Sequence, residues 1–216
     1  FGEIRADGSA KVRVVIKPSI SADKNYIDEN FEYPPDSKEV NNACGPLSYE
    51  VFVFIRDQRL YRSLDIERKK FDDLLTLYSG VKIYRDGFRI LPFGDPDNDW
   101  LELNAKRAGS PEFRITTNTS VGIVYITRDE NPGLQDVLNR ENMYDTPEFA
   151  ALKDFVNLAF KKYTKIQLSA RKKADTRKKE QGKAALEDAQ KSIKAFSKNV
   201  GAFQKNLTEI DSADTV

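Results

Sequence analysis

Histidine is missing altogether from this chain of 216 residues. That removes the commonest general base, the commonest metal ligand and any phosphohistidine chemistry. Cysteine occurs once, at Cys44, so no intrachain disulfide can form; this suits a reducing compartment, and cytoplasm is the expected location. With no histidine to activate it, Cys44 in Asn42-Ala-Cys-Gly-Pro46 reads as a small buried or turn-edge residue, not a nucleophile. Long apolar runs are absent too: none approaches the roughly 18 residues that span a bilayer, so no membrane role is expected. The glycines stand singly. A phosphate cradle needs them close together so that backbone N–H groups can approach the anion, and the chain alone is not expected to hold ATP.

What is present is enough for one domain of ordinary size with an extension, since 39% of the residues are hydrophobic. The formal net charge of +1 is unevenly placed. From Lys161 to Lys183 ten Lys and Arg face only Asp175 and Glu180, a local +8 that leaves −7 for everything else. An acidic body therefore carries a basic segment.

Periodicity outlines the elements. Lys11 to Lys17 alternates Val12, Val14 and Ile16 with charged residues, as a half-buried strand does. Residues 18–46, with Pro18, Pro34, Pro35 and Pro46 among Asp, Asn and Ser, read as an irregular connection. Tyr49 to Ile55 is apolar on both faces and reads as a central strand. Phe71, Leu74, Leu75 and Tyr78 form the stripe of an amphipathic helix from about Leu64, with Gly80 as its C-cap. Val81–Tyr84 and Phe88–Leu91 flank Asp86-Gly87, a strong hairpin signal. Ser120–Thr127 is a further buried strand. From Thr146 a helix turns Phe149, Leu152, Val156, Ala159, Tyr163 and Ile166 inward. A second stripe, Leu186, Ala189, Ile193, Phe196, Val200, Phe203, Leu207 and Ile210, has coiled-coil spacing, and the helix either breaks near Gly182 or presents its two stripes to different partners. These elements predict an α/β two-layer (α+β) domain over 1–145, then a helical arm over 146–216 with a basic segment at 161–183 and a coiled-coil segment at 186–210.

The run Gly80-Val-Lys-Ile-Tyr-Arg-Asp-Gly-Phe-Arg-Ile-Leu-Pro-Phe-Gly-Asp-Pro-Asp-Asn-Asp-Trp100, with Asp136-Val-Leu-Asn-Arg-Glu141 downstream, resembles the transducer of the GHKL class of ATPases, which includes the gyrase B subunit and the heat-shock-ninety chaperones. It is most similar to large bacterial proteins known as histidine-kinase-like ATP-binding proteins. The likeness covers about Gly45 to Tyr163 and is specific in Gly80–Trp100. It implies a ribosomal-protein-like fold with a left-handed crossover, where pattern alone would give a right-handed one. It also implies that ATP with Mg is held mainly by a nucleotide-binding domain not in this chain, because the E-x-x-x-N helix, D-x-G-x-G turn and G-x-G-x-x-G lid of the class do not occur. With Phe1 at its start, the chain is expected to be a piece of a longer protein.

In that class the transducer lays one cation on the γ-phosphate. By position after Ser120–Thr127, Arg140 in Leu138-Asn-Arg-Glu-Asn-Met143 takes that role, with a guanidinium that forks onto two phosphate oxygens. Relatives usually carry Gly where Asn142 stands. Lys106 and Arg107, where relatives have two basic residues, are the second candidates to face the nucleotide. Asp95-Pro-Asp-Asn-Asp-Trp100 imitates a calcium loop, but Trp100 stands where that loop needs Gly and Lys106 where it needs Glu, so no metal site is expected. The structural reading of the same run is a turn whose polar side chains satisfy their own backbone while Trp100 packs on the sheet. Expected partners are the nucleotide-binding domain of the same protein, a second copy through the coiled coil, and DNA along Arg171–Lys179. The alternative function is an interaction module whose coiled coil and basic segment bind a partner protein or DNA.

Overall fold

The computed structural model describes residues 1–17, 27–54, 61, 67–137 and 142–213, with side chains described as far as Lys194. Its centre is a mixed sheet of seven strands: β1 (Gly2–Ile4), β2 (Ala10–Ile16), β3 (Ile27–Tyr33), β4 (Leu47–Val53), β5 (Gly80–Arg85), β6 (Phe88–Ile90) and β7 (Ser120–Ile126). Their order across the sheet is β3-β2-β1-β4-β7-β5-β6. All neighbours are antiparallel except β5 and β7, which run parallel with Gly80 beside Val121 and Arg85 beside Ile126. The described residues also form helix α1 (Arg68–Tyr78), the short helix α2 (Leu103–Gly109), a 3-10 turn at Thr117–Thr119 and the long α3 (Pro147–Ala213). The arrangement is α+β in two layers, as the alternation of strand and helix periods predicts.

The core forms where the inward row of the sheet meets the first half of α3. Tyr49, Ile83 and Val124 on the strands and Leu152, Phe155, Val156 and Phe160 on the helix are buried together. Thr146 starts the helix, its hydroxyl accepting the N–H of Phe149 at 3.2 Å. Tyr49 meets Phe155 edge to face at 5.4 Å, and its hydroxyl donates to the Phe155 carbonyl at 3.4 Å. Two compact units result, Phe1–Ile166 and Gln167–Val216, so the division falls within α3 and not at residue 146. The physical reason is that residues 147–166 are a core layer of the sheet domain. Lys162, counted in the basic segment, belongs to this first unit: its ammonium pairs with Glu39 at 2.9 Å and lies 4.8 Å from the Phe31 ring. In the second unit the helical backbone continues through Gly182 without a break, and every residue from Lys172 to Lys194 is exposed. The stripe from Phe196 to Ile210 lies beyond the described side chains.

Four details depart from the periodicity reading. Within residues 18–46, β3 pairs along its whole length with β2. It was hidden because Asp28, Glu29, Asn30 and Glu32 make it polar, as edge strands often are. β4 is central but not covered on both faces, since Phe52 is 60% exposed. In α1 only Leu75 of the expected stripe is buried; Leu74 and Tyr78 are exposed, and Phe71 packs against Phe54 and Tyr61. Residues 62–66, where the helix was expected to begin, lie outside the described residues. Ser79 is the C-cap, donating its N–H to the Leu75 carbonyl at 2.8 Å, and Gly80 at φ 91° follows as the first residue of β5. The Asp86-Gly87 hairpin is formed as expected, with φ 50° and 81° at its two turn residues. Among the described residues no helix is long and apolar enough to cross a membrane.

The amino group of Phe1 donates to the Arg13 carbonyl at 3.2 Å. Burial, with Arg13 nearby, lowers its pKa below the usual 8.0, against the pull of Glu50. A folded-state pKa below the unfolded value means that the unfolded chain takes up a proton first as pH falls. The chain beginning at Phe1 is therefore expected to have its full stability above 8.0 and to lose some as pH drops through the window below it. Histidine is absent and burial pushes the Cys44 thiol up to about 12, so neither imidazole nor thiol titrates in that window. Urea midpoints from about pH 6 to pH 8.5 should rise with pH, and N-acetylation should flatten the profile. A slope that survives acetylation would assign it to another group.

Candidate functional site

The carboxyl end of β5 carries Arg85, the one charged residue that is buried among the described residues. Val81, Ile83 and Arg85 occupy successive inward positions of β5 and are 2%, 0% and 5% exposed. An arginine in an apolar row must find partners, because a buried unpaired charge is costly. Arg85 Nη1 donates to the Asp136 carboxylate and Nη2 to the Leu134 carbonyl, while Nε stays buried without a partner. Beside them the hairpin turn is tied to the loop after β7: Asp86 donates its N–H to the Ile126 carbonyl, and its carboxylate accepts the Arg128 N–H, each at 3.2 Å. A cavity of about 280 Å³ opens here, lined by Arg85, Asp86, Arg128, Asp129 and Asp136 among others. Three carboxylates face two guanidiniums in it, so the cavity by itself does not attract a phosphate.

A second anchor holds the same loop. Asn131, 1% exposed, donates from Nδ2 to the carbonyls of Cys44 at 2.6 Å and Pro46 at 2.8 Å, and its Oδ1 accepts the Thr127 N–H at 2.9 Å. Gly45 makes the approach possible: its φ is 81°, and a Cβ there would stand 2.4 Å from the Glu130 carbonyl oxygen. Cys44 is buried and its thiol pKa is raised, in keeping with the structural role read from its Cys-Gly-Pro setting. Asn131→Leu strands two carbonyls and one N–H in the interior, and should cost about 1–3 kcal/mol of unfolding free energy in denaturant titrations. A loss below about 0.5 kcal/mol would show that the clamp is not formed.

From these anchors the chain runs to the site expected for Arg140. Asp136 and Met143 form an isolated antiparallel bridge. Tyr144 N–H donates to the Gln135 carbonyl at 2.9 Å and Val137 N–H to the Asn142 carbonyl at 3.0 Å. Residues 138–141 lie between these paired flanks, and Arg140, the proposed γ-phosphate cation, is outside the described residues.

Lys106 and Arg107 sit elsewhere, on α2. That helix is tied to the start of β7, with the Asn104 side chain accepting the Thr117 N–H at 3.2 Å and Asp99 accepting the Thr117 hydroxyl at 3.0 Å. Asp136 is tied to the end of β5, so parallel strands of about six residues, roughly 20 Å, separate the two anchor points. The Lys106 ammonium donates to the Leu101 carbonyl at 2.6 Å, and burial lowers its pKa. Arg107 is exposed.

The Asp95–Trp100 run is a structural turn. Asp95 pairs with Arg89, the two Asp99 oxygens accept the N–H groups of Leu103 and Asn104 at 2.7 and 2.9 Å, and Trp100 Nε1 donates to the Val81 carbonyl at 2.8 Å. The Trp100 ring stacks on Phe149 of α3 at 6.0 Å.

Sequence reasoning overlooked Arg85, Asp136 and Asn131. A signal existed for the first: Arg85 falls in the inward phase set by Val81 and Ile83. Asn131 had none, because the two carbonyls it holds lie 85 and 87 residues away. Compared with protein-family models, with curated proteins and with solved structures, the chain has no match.

Proposed function

We propose that this chain is the transducer of a GHKL-type ATPase: it presents Arg140 to the γ-phosphate of ATP bound, with Mg, in a separate nucleotide-binding domain, and passes the hydrolysis state on to the helix that follows. The observation that carries the reading is the pairing of the chain on either side of residues 138–141. The flanks are hydrogen-bonded to each other through Val137 and Asn142, and Asp136 is locked to the buried Arg85. A cation that offsets charge in a transition state must be held in place beforehand, since reorganisation during the reaction would cost the rate that it supplies. The tie of Asp136 to Arg85 on β5 and the pairing of the two flanks provide such a base. Arg140 is preferred to Lys106, whose ammonium is already engaged with Leu101.

In this reading the chain alone is catalytically silent, because the binding motifs for ATP are not in it. Isothermal calorimetry of the isolated chain with MgATP is expected to give no heat of binding; micromolar affinity would overturn the division of labour. The decisive test is Arg140→Ala in a protein that includes the nucleotide-binding domain, read as ATP turnover. Cytoplasm is the compartment that the single free thiol fits.

A second reading rests on a different observation. Leu186 and Ile193, one heptad apart, are 61% and 67% exposed on a helix whose residues 172–194 are all exposed. Such a stripe suits a coiled-coil partner, a second copy among them, and the cations of Arg171–Lys179 suit DNA. Concentration-dependent sedimentation and salt-dependent DNA binding distinguish these from a purely transducing role.

A further inference from the structure

The helical backbone of α3 is continuous to Ala213, so the stripe from Leu186 to Ile210 keeps one heptad register throughout. Leu186 and Ile193 take a positions and Ala189 a d position, and the first two are 61% and 67% exposed. At e and g, the positions that border the seam, stand Gln190, Ser192, Ser197, Asn199, Gln204 and Asn206. None of them carries a charge. Charged flanks are how a coiled coil selects a different chain or rejects its own kind, and neither device is present in this stretch. Its lysines fall instead at the outer f positions, Lys191, Lys198 and Lys205. An identical helix is therefore admitted along the whole stripe.

Two features of the register then choose the direction of that second helix. The first is size. Parallel helices set each seam position against itself, so that Ala189 would face Ala189 and Phe196 would face Phe196, one layer under-filled and the other crowded. Antiparallel helices pair a with d, and centred on residue 198 the layers become 189 with 207, 193 with 203 and 196 with 200. Alanine then shares a layer with leucine, and each phenylalanine with a β-branched residue, which evens the volume along the seam. The second feature is charge. In the parallel arrangement Lys178 at g borders Lys183 at e of the other chain, a repulsion that occurs twice. In the antiparallel one e borders e, and the same register brings Lys183 beside Asp211, an attraction that occurs twice.

We propose that the partner of this stripe is a second copy of the chain, docked antiparallel over residues 186–210 with its centre at residue 198. The basic stretches Arg171–Lys183 of the two copies then lie at opposite ends of the paired segment, where their like charges do not meet. This orientation builds on the coiled-coil reading of the stripe and leaves the role of Arg140 untouched.

Sedimentation of the chain at rising concentration is expected to approach twice the mass of one copy. Lys183→Asp should weaken the dimer roughly tenfold, because two attractive pairs become repulsive, and adding Asp211→Lys should restore it. In a parallel dimer Lys183→Asp would relieve the repulsion with Lys178, so a tighter dimer overturns the proposal. Cross-linking supplies an independent readout. Cys44 is buried, and the parent chain is expected to stay unlinked under mild oxidation. Ser197→Cys, at an e position beside the centre, should give a disulfide-linked dimer. Ile193→Cys should not, since the two copies of that position stand about 15 Å apart along the antiparallel pair. Linkage at 193 and not at 197 overturns the orientation while the coiled-coil reading stands. A chain that remains monomeric at every concentration overturns both.

Discussion

Asp136→Ala is expected to destabilise the folded chain by about 3–5 kcal/mol, because it leaves the Arg85 guanidinium buried without its counter-charge. The two side chains are 6% and 15% exposed, so neither ion is much solvated in the folded state. The opposing effect is water entry from the adjoining cavity, which Arg85 and Asp136 both line. Rehydration there favours the lower end of the range. For a chain of this length the change corresponds to a fall of about 6–20 °C in Tm. Removing both charges is a separate case. Arg85→Met with Asp136→Leu eliminates the desolvation cost along with the attraction, and should sit within about 1–2 kcal/mol of the parent. A double-mutant cycle isolates the pair from the Leu134 carbonyl contact of the same guanidinium. If Asp136→Ala unfolds at the parent's denaturant midpoint, the pair is not formed in solution and the anchoring of the loop has no basis.

Arg140→Ala, in a protein carrying the nucleotide-binding domain, should slow ATP turnover by roughly ten- to a thousandfold with little change in ATP affinity. Each factor of ten is about 1.4 kcal/mol of transition-state stabilisation. The separation of rate from affinity is the diagnostic feature: a cation that acts as charge builds on the γ-phosphate lowers kcat, whereas one that merely binds ATP raises KM. Arg140→Lys keeps a charge but loses the fork of donors, and should fall between the two. The folding and catalytic predictions are coupled through Asp136, which with Met143 flanks residues 138–141. Asp136→Asn should therefore lower turnover at temperatures where the domain is still folded. Unaltered turnover in Arg140→Ala would remove this residue from the mechanism, while normal turnover in a folded Asp136→Asn would separate the anchor from the chemistry.

Local periodicity alone determined much of this protein. The alternation in β2, the Asp86-Gly87 turn and the inward face of the first half of α3 each depend on residues a few positions apart, and each stands where the pattern put it. The structural role of Cys44 was equally legible, since a thiol in a chain without histidine has no activating partner. Tertiary structure decided what depends on distant partners. β1 is only three residues long with a Gly and a Glu in it, and becomes a strand because β2 and β4 flank it. β3 is too polar to announce itself and is held by pairing with β2. Lys106 looked like a free cation, but the chain turns it back onto Leu101. Arg85 and Asp136 are 51 residues apart and Asn131 and Cys44 are 87 apart, so their contacts exist only once the sheet has assembled. Short-range pattern is written in the residues themselves; a buried charge or amide takes its meaning from whatever the fold brings beside it.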